Sequence, residues 1–142
     1  MDFSEFRYDL HTFRLMVEEW EEKRPLFLYG HSMGGLITLN YVLHHPERLR
    51  AVIASAPAVG TLPIAPHLRL LTGLLSRLAP TLQVTTGLAT EGLSRIPEVM
   101  EAYLNDPLVH GKATPRFGSE MPRAAAWTMS NAGEFEPPLL FV

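Results

Sequence analysis

The chain has 142 residues, a formal net charge of −3, no cysteine and 46% hydrophobic residues. This length suffices for one domain that buries about two thirds of its unfolded surface, and the small charge with scattered basic residues argues against nucleic acid as a partner. The absence of cysteine excludes disulfides and cysteine-based metal sites, and it fits a reducing compartment.

The first predicted element is a helix that begins near residue 2. Asp2 and Glu5 have the spacing of a capping box. Apolar residues then recur at three- and four-residue intervals, at Phe6, Leu10, Phe13, Val17 and Trp20. This pattern predicts a helix that lies flat on a sheet and is ended by Pro25.

The start of the chain lacks the basic and apolar regions of a signal peptide, and no apolar run is long enough for a membrane span. The sequence therefore predicts a cytoplasmic protein, with peripheral association at a membrane as an open alternative.

A strand, a helix and a second strand are predicted next. Apolar residues 26–29 form the first strand, and residues 33–43 are apolar on most sides, which predicts a nearly buried helix. A second strand over residues 51–55 is stopped by Pro57. Strand, helix and strand within about thirty residues indicate a parallel βαβ unit.

The turn between the first strand and its helix carries the main functional signal. It reads Gly30-His31-Ser32-Met33-Gly34-Gly35. A serine on a sharp strand-to-helix turn adopts a strained backbone, which favours glycine at Gly30 and Gly34. We expect the Ser32 hydroxyl to be an exposed nucleophile, and Met33 N–H to point at the position of an oxyanion.

A purely structural turn, or one that holds a phosphate, is the alternative interpretation of these glycines. A phosphate loop would carry a lysine after the glycines or a third glycine in register, and Leu36 and Ile37 provide neither.

Residues 60–123 change in character, because prolines and glycines separate short leucine-rich helical pieces with no convincing strand. We interpret this segment as a lid inserted between strands. It contains leucines at helical spacing with arginines nearby: Leu68, Leu71, Leu75 and Leu78, with Arg69 and Arg77. This leucine stripe either packs on the body of the domain or forms an apolar face that meets lipid, with the arginines at headgroup level.

A last helix is predicted over residues 123–130 and a last strand over residues 139–142. The predicted organisation is therefore a partial core at 1–59, a helical lid at 60–125, and a return helix and core strand at 126–142.

The residues of the Ser32 turn resemble the nucleophile elbow of the α/β-hydrolase fold, in its monoacylglycerol lipase and lysophospholipase branch. Residues 93–99 and 103–109 resemble the lid of that branch, and residues 137–142 resemble the strand that follows it. The resemblance implies an α/β protein with a partial α/β-hydrolase fold, consisting of a parallel sheet core and a helical lid insertion.

The function implied by the resemblance is that of a serine ester hydrolase acting on lipid esters such as monoacylglycerol or lysophospholipid. It needs no cofactor and no metal. Its lid would contact a membrane surface transiently. A thioesterase or small-ester carboxylesterase of the same fold, and a non-catalytic remnant or interaction module, stay open as alternatives.

A serine nucleophile also requires a histidine base and an acid to orient it, which follow the serine along the chain in this fold. The resemblance implies that both lie beyond Val142, and that another oxyanion donor precedes the first helix. We therefore expect the central piece of a larger hydrolase, inactive by itself, poorly folded and prone to aggregate because an apolar strand ends it.

Residues within the chain are weaker candidates for these roles. Asp2 and Asp9 are predicted to cap and to face solvent on the first helix, and Asp106 to form a turn before a proline. His110 has no strand to carry it towards the serine, and His31 is expected to point away from the hydroxyl. The other histidines are predicted as helix-surface residues without metal-binding spacing: His11, His44, His45 and His67.

Overall fold

The structure is a computed structural model and describes residues 2–60, 65–85 and 93–142. Its helices are α1 (Phe3–Trp20), α2 (Met33–Val42), α3 (Pro66–Leu78), α4 (Pro97–Asn105) and α5 (Pro115–Ser130), followed by a 3₁₀ turn (Ala132–Glu134). Its strands are β1 (Leu26–His31), β2 (Leu49–Ser55), β3 (Val84–Thr85), β4 (Lys112–Ala113) and β5 (Leu139–Phe141). The predicted lid and core also include residues 1, 61–64 and 86–92, which lie outside the described residues.

The main sheet has the order β1-β2-β5, and both pairs of neighbours are parallel. The predicted parallel βαβ unit is therefore confirmed, although β1 and β2 are each two residues longer than expected. Gly30 pairs with Ala54 and His31 with Ser55, so the carboxyl ends of the two strands meet beside the turn. Both outer strands expose apolar side chains, including Phe27, Tyr29 and Phe141. The tendency of the chain to aggregate stays a prediction.

Helix α2 forms the centre of the protein. Seven of its ten residues are buried, as its apolar composition predicts. Leu36 packs with Phe3 of α1 and Ala125 of α5, while Val42 packs with Val52 of β2. The turn at Ser32 therefore begins a helix that packs against α1, α5 and β2.

Helix α1 begins at the predicted capping box, since Ser4 N–H donates to Asp2 and Asp2 N–H donates to Glu5. The predicted apolar face is partly wrong, because Phe13 and Trp20 are 58% and 67% exposed. Arg14 is buried in their place, with 7% exposure. The buried face passes through Phe3, Leu10 and Arg14, and the Arg14 guanidinium donates to the Glu47 carbonyl at 2.6 Å.

The histidines at the end of α2 are not simple surface residues, in contrast to the prediction. The ring of His45 stacks on His11 of α1 at 4.4 Å between centroids, and His11 Nδ1 lies 3.1 Å from the hydroxyl of buried Tyr41. His44 stacks on Trp127 at the same spacing of 4.4 Å. Burial lowers the pKa of His45, helped by the nearby His11, and burial raises the pKa of Tyr41.

Helix α3 packs on α5 through small residues instead of leucines. Ser119 Oγ of α5 lies 3.2 Å from Ser76 Oγ of α3, and Thr72 lies against Gly118. Leu68, Leu71 and Leu78 of the leucine stripe are consequently exposed. The alternative in which the leucine stripe packs on the body of the domain is thus wrong for these three residues.

Helix α5 begins at Pro115, eight residues earlier than predicted. Thr114 caps it by accepting a hydrogen bond from Phe117 N–H at 3.1 Å, and Pro115 occupies the first helical position, where a missing N–H costs nothing. Pro122 lies inside the helix. The proposed boundary at 125/126 therefore falls within α5, and the short β3–β4 pair lies in a segment for which no strand was predicted.

Asn40 joins three helices and provides a stability test. This fully buried residue accepts a hydrogen bond from Arg7 of α1 at 3.0 Å and donates one to Thr128 of α5 at 2.8 Å. Asn40→Leu is expected to lower the free energy of unfolding by about 2 kcal/mol, because it leaves buried polar groups unsatisfied. Urea denaturation of the protein from the complete open reading frame measures the loss. Ser130→Ala, on the exposed end of α5, should change the free energy of unfolding little. Equal stability of both variants would contradict the role of Asn40.

Candidate active site

Ser32 lies between β1 and α2 as an exposed residue with φ 53° and ψ −118°. A positive φ is uncommon for a residue with a side chain and is retained only where neighbouring contacts enforce it. The expected strain and exposure of this serine are both present.

The loop after β2 holds Ser32 from both sides. Ser32 N–H donates to the Ser55 carbonyl at 2.9 Å, and Ala58 N–H donates to the Ser32 carbonyl at 2.9 Å. Ala56, between these two residues, also has a positive φ, of 40°. In the sequence, Pro57 indicates only the end of a strand, and no local pattern shows that the loop around it holds Ser32.

The glycines of the turn differ in how much they are crowded. A Cβ on Gly30 would collide with the carbonyl of Gly34 and the hydroxyl of Thr38, so the predicted need for glycine is present there. On Gly34, a Cβ would meet nothing within 4 Å outside its own helix, and the crowding expected at that position is not found. Gly35 is crowded instead, since its Cβ would lie 2.7 Å from the Cβ of Pro57.

Met33 is the first residue of α2. Its N–H therefore has no acceptor within the helix, and it lies at the positive end of the helix dipole. This is the position from which a backbone donor would stabilise an oxyanion formed at Ser32.

Within the part of the chain that is described, Ser32 Oγ makes no hydrogen bond to a histidine, an acid or any other residue. His31 Nδ1 lies 3.2 Å from Ser55 Oγ. His110 accepts from Lys112 N–H, and Asp106 forms the predicted turn by accepting from Leu108 N–H at 2.8 Å. Asp9 is exposed on α1.

No cluster of three metal-binding side chains occurs in residues 2–60, 65–85 and 93–142. Of the helices in these ranges, none is both long and apolar enough to cross a lipid bilayer.

Comparison with known proteins identifies the family of this chain. The model of the family Hydrolase_4, described as serine aminopeptidase, S33, matches residues 1–142. The chain belongs to this α/β-hydrolase family. The fold class predicted from the nucleophile turn, a partial α/β-hydrolase fold with a parallel sheet, is thereby confirmed.

Relatives within the α/β-hydrolases are named for lipid ester hydrolysis. The chain is 34% identical over 134 residues to a monoacylglycerol lipase of Mycolicibacterium smegmatis, covering 88% of this chain and 48% of the relative. It is 34% identical over 112 residues to phospholipase YtpA of Bacillus subtilis, covering 74% of this chain and 43% of the relative.

A solved structure of a monoacylglycerol lipase is also similar to this chain. The monoacylglycerol lipase of Paleococcus ferrophilus superposes with a TM-score of 0.85 at 28% identity, covering 99% of this chain and 53% of the other. The predicted resemblance to the monoacylglycerol lipase branch is confirmed, and the chain spans about half the length of these relatives.

Proposed function

We propose that this chain carries the nucleophile of a serine hydrolase for lipid esters such as monoacylglycerol or lysophospholipid. The observation that carries the proposal is the exposed Ser32 in a strained turn at the amino end of α2. The similarity to a monoacylglycerol lipase and to a phospholipase supports the ester class.

The reaction follows from the geometry of the turn. Ser32 Oγ attacks the ester carbonyl carbon and gives up its proton, while Met33 N–H donates to the carbonyl oxygen as that oxygen gains charge. The carbon–oxygen ester bond breaks, the alcohol leaves with the proton, and an acyl-serine forms. Water then cleaves the acyl-serine to the fatty acid and regenerates the serine.

The proton transfers require a histidine oriented by an acid, and we place both outside the 142 residues. The Ser32 hydroxyl has no hydrogen-bond partner among the described residues, and the relatives are about twice as long as this chain; both observations support this arrangement. The chain alone is accordingly proposed to be inactive.

The apolar face of α3 is proposed to receive the acyl chain and to contact a lipid surface transiently. Leu70, Leu74 and Leu78 are all more than half exposed, and such leucines gain free energy when an alkyl chain covers them. This assignment gives the lid of residues 60–125 a role in substrate selection.

A preference for long acyl chains tests the substrate class. In the protein from the complete open reading frame, kcat/KM for long-chain monoacylglycerol is expected to exceed that for short-chain esters by at least about tenfold, because each buried methylene contributes about 0.8 kcal/mol. Leu70→Gln should reduce this preference, whereas Leu15→Gln, an exposed leucine on α1, should not.

The same profile separates the alternatives. A preference for short esters would favour a carboxylesterase for small substrates, and faster turnover of acyl thioesters would favour a thioesterase. A non-catalytic remnant stays a second candidate, because Ser32 Oγ forms no hydrogen bond with any residue in the described ranges. A reading frame that continues without an acid and a histidine would favour that candidate.

A further inference from the structure

A groove of about 540 Å³ runs between α3 and α5 and shares no residue with the Ser32 turn. The first turn of α3 lines one end of it, through Pro66. Because α3 and α5 approach through small residues, longer side chains stand along the borders of the groove.

The groove is strongly basic. Four arginines and a single carboxylate line it: Arg69, Arg77, Arg116, Arg123 and Glu120. Three positive charges are thus in excess, in a chain whose net charge is −3. This charge is a local feature of the groove and not a consequence of overall composition.

The four guanidinium groups are incompletely neutralised. Arg116 and Arg123 share Glu120, at 3.8 Å and 3.5 Å, and Arg116 Nε is buried without a hydrogen-bond partner. The guanidinium groups of Arg69 and Arg77 form no hydrogen bond or ion pair with any residue that the structure describes. Donors to an anion are therefore available on both walls.

The remaining lining residues fit a ligand with a charged and an apolar part. Ser76 and Ser119, whose hydroxyl oxygens lie 3.2 Å apart, form a polar part of the lining, and Leu70 and Leu74 line the groove beside the arginines. The amino end of α3 has no side-chain cap, so its dipole adds a partial positive charge.

We propose that the α3–α5 groove binds a phosphate group, with the guanidinium groups of Arg69 and Arg77 as its principal donors. Arginine presents paired N–H donors that match phosphate oxygens, and the excess charge of the groove suits a doubly charged ligand. Phosphate is the shared chemistry of an anionic lipid headgroup and of a free phosphate. The site deepens the lipid-surface contact of the proposed function, since Leu70 and Leu74 belong to both surfaces. Phosphate binding requires no hydrolysis, so its failure would leave the hydrolase proposal intact.

The test measures binding in a Ser32→Ala background, so that no lipid is consumed. The protein from the complete open reading frame is floated with phosphatidylcholine vesicles that contain or lack phosphatidic acid. Arg69→Gln/Arg77→Gln is expected to weaken binding to the phosphatidic acid vesicles by about thirty-fold. Lys23→Gln/Arg24→Gln removes the same charge at the exposed end of α1 and is expected to weaken it by about twofold or less.

Competition with inorganic phosphate identifies the source of the ligand. If millimolar inorganic phosphate displaces the protein from the vesicles, and calorimetry detects direct binding of phosphate to the protein, the groove is assigned to the phosphate group itself. Vesicle binding that resists phosphate but is lost in Arg69→Gln/Arg77→Gln would assign it to a lipid headgroup. Either result supports the site.

Three results would overturn the proposal. They are equal loss of binding in both double variants, equal binding to vesicles with and without phosphatidic acid, and equal competition by acetate and phosphate. Thermal unfolding of each variant serves as the folding check, and all four substituted side chains are exposed.

Discussion

Replacing Ser32 with alanine in the protein from the complete open reading frame is expected to lower ester hydrolysis by about 10⁴- to 10⁶-fold. The serine, its base and the orienting acid act as one unit, so that losing the nucleophile removes nearly the whole effect of the unit. Steady-state kinetics with a long-chain monoacylglycerol measure the loss.

Two controls define this result. Ser130→Ala removes another exposed hydroxyl, one that donates to the Ala126 carbonyl at the end of α5, and should leave the rate unchanged. The unmodified 142-residue chain should react with a fluorophosphonate probe as slowly as the Ser32→Ala protein, because we propose that the base of Ser32 lies outside these residues. Labelling of Ser32 in this chain at the rate of an active serine hydrolase would refute the proposal that the base lies elsewhere.

Gly30→Ala is expected to destabilise the protein by more than about 3 kcal/mol or to prevent folding. The added Cβ would lie 2.7 Å from the carbonyl carbon of Gly34, in addition to its collisions with that carbonyl's oxygen and with Thr38. Because two of these atoms belong to the backbone of α2, they cannot move aside as a flexible side chain would. Urea denaturation of the protein from the complete open reading frame measures the effect.

Gly34→Ala is the matched control for this experiment. It adds the same methyl group four residues later, where the added Cβ meets nothing within 4 Å outside its own helix. It is expected to be neutral or to stabilise by up to about 1 kcal/mol, because alanine favours helix over glycine. Gly35→Ala should fall between the two, since Pro57 must shift. A Gly30→Ala protein as stable as Gly34→Ala would mean that β1 and α2 do not meet as described.

Local features of this chain could be predicted because they depend on residues close together in sequence. The capping box of α1 needs only Asp2 and Glu5, and the strained serine needs only the glycines and apolar residues around Ser32. The burial of α2 follows from apolar residues on nearly all its sides. The parallel βαβ unit follows from the short distance between its strands.

Other predictions were wrong or incomplete because the partner of each residue is remote in sequence. Arg14 is buried through the carbonyl of Glu47 and the ring of Tyr41, and no helical pattern within α1 indicates those contacts. His45 is held by His11, from a helix that precedes it by some thirty residues.

The orientation of α3 illustrates the same limit. Its leucines have the spacing of a buried face, yet the small residues Thr72, Gly73 and Ser76 face α5, because Gly118 and Ser119 allow close approach there. The choice between the two faces depends on the partner helix and not on periodicity.

The sequence by itself determined the class of fold and the family and identified Ser32 as the proposed nucleophile, since the Ser32 turn combines strain, small neighbours and an apolar strand and helix within a few residues. Only the tertiary structure decided how that strain is maintained, through the loop from Ser55 to Ala58, and which glycine besides Gly30 is crowded by its neighbours. These contacts join backbone atoms more than twenty residues apart, and a linear pattern carries no information about which distant peptide groups will meet.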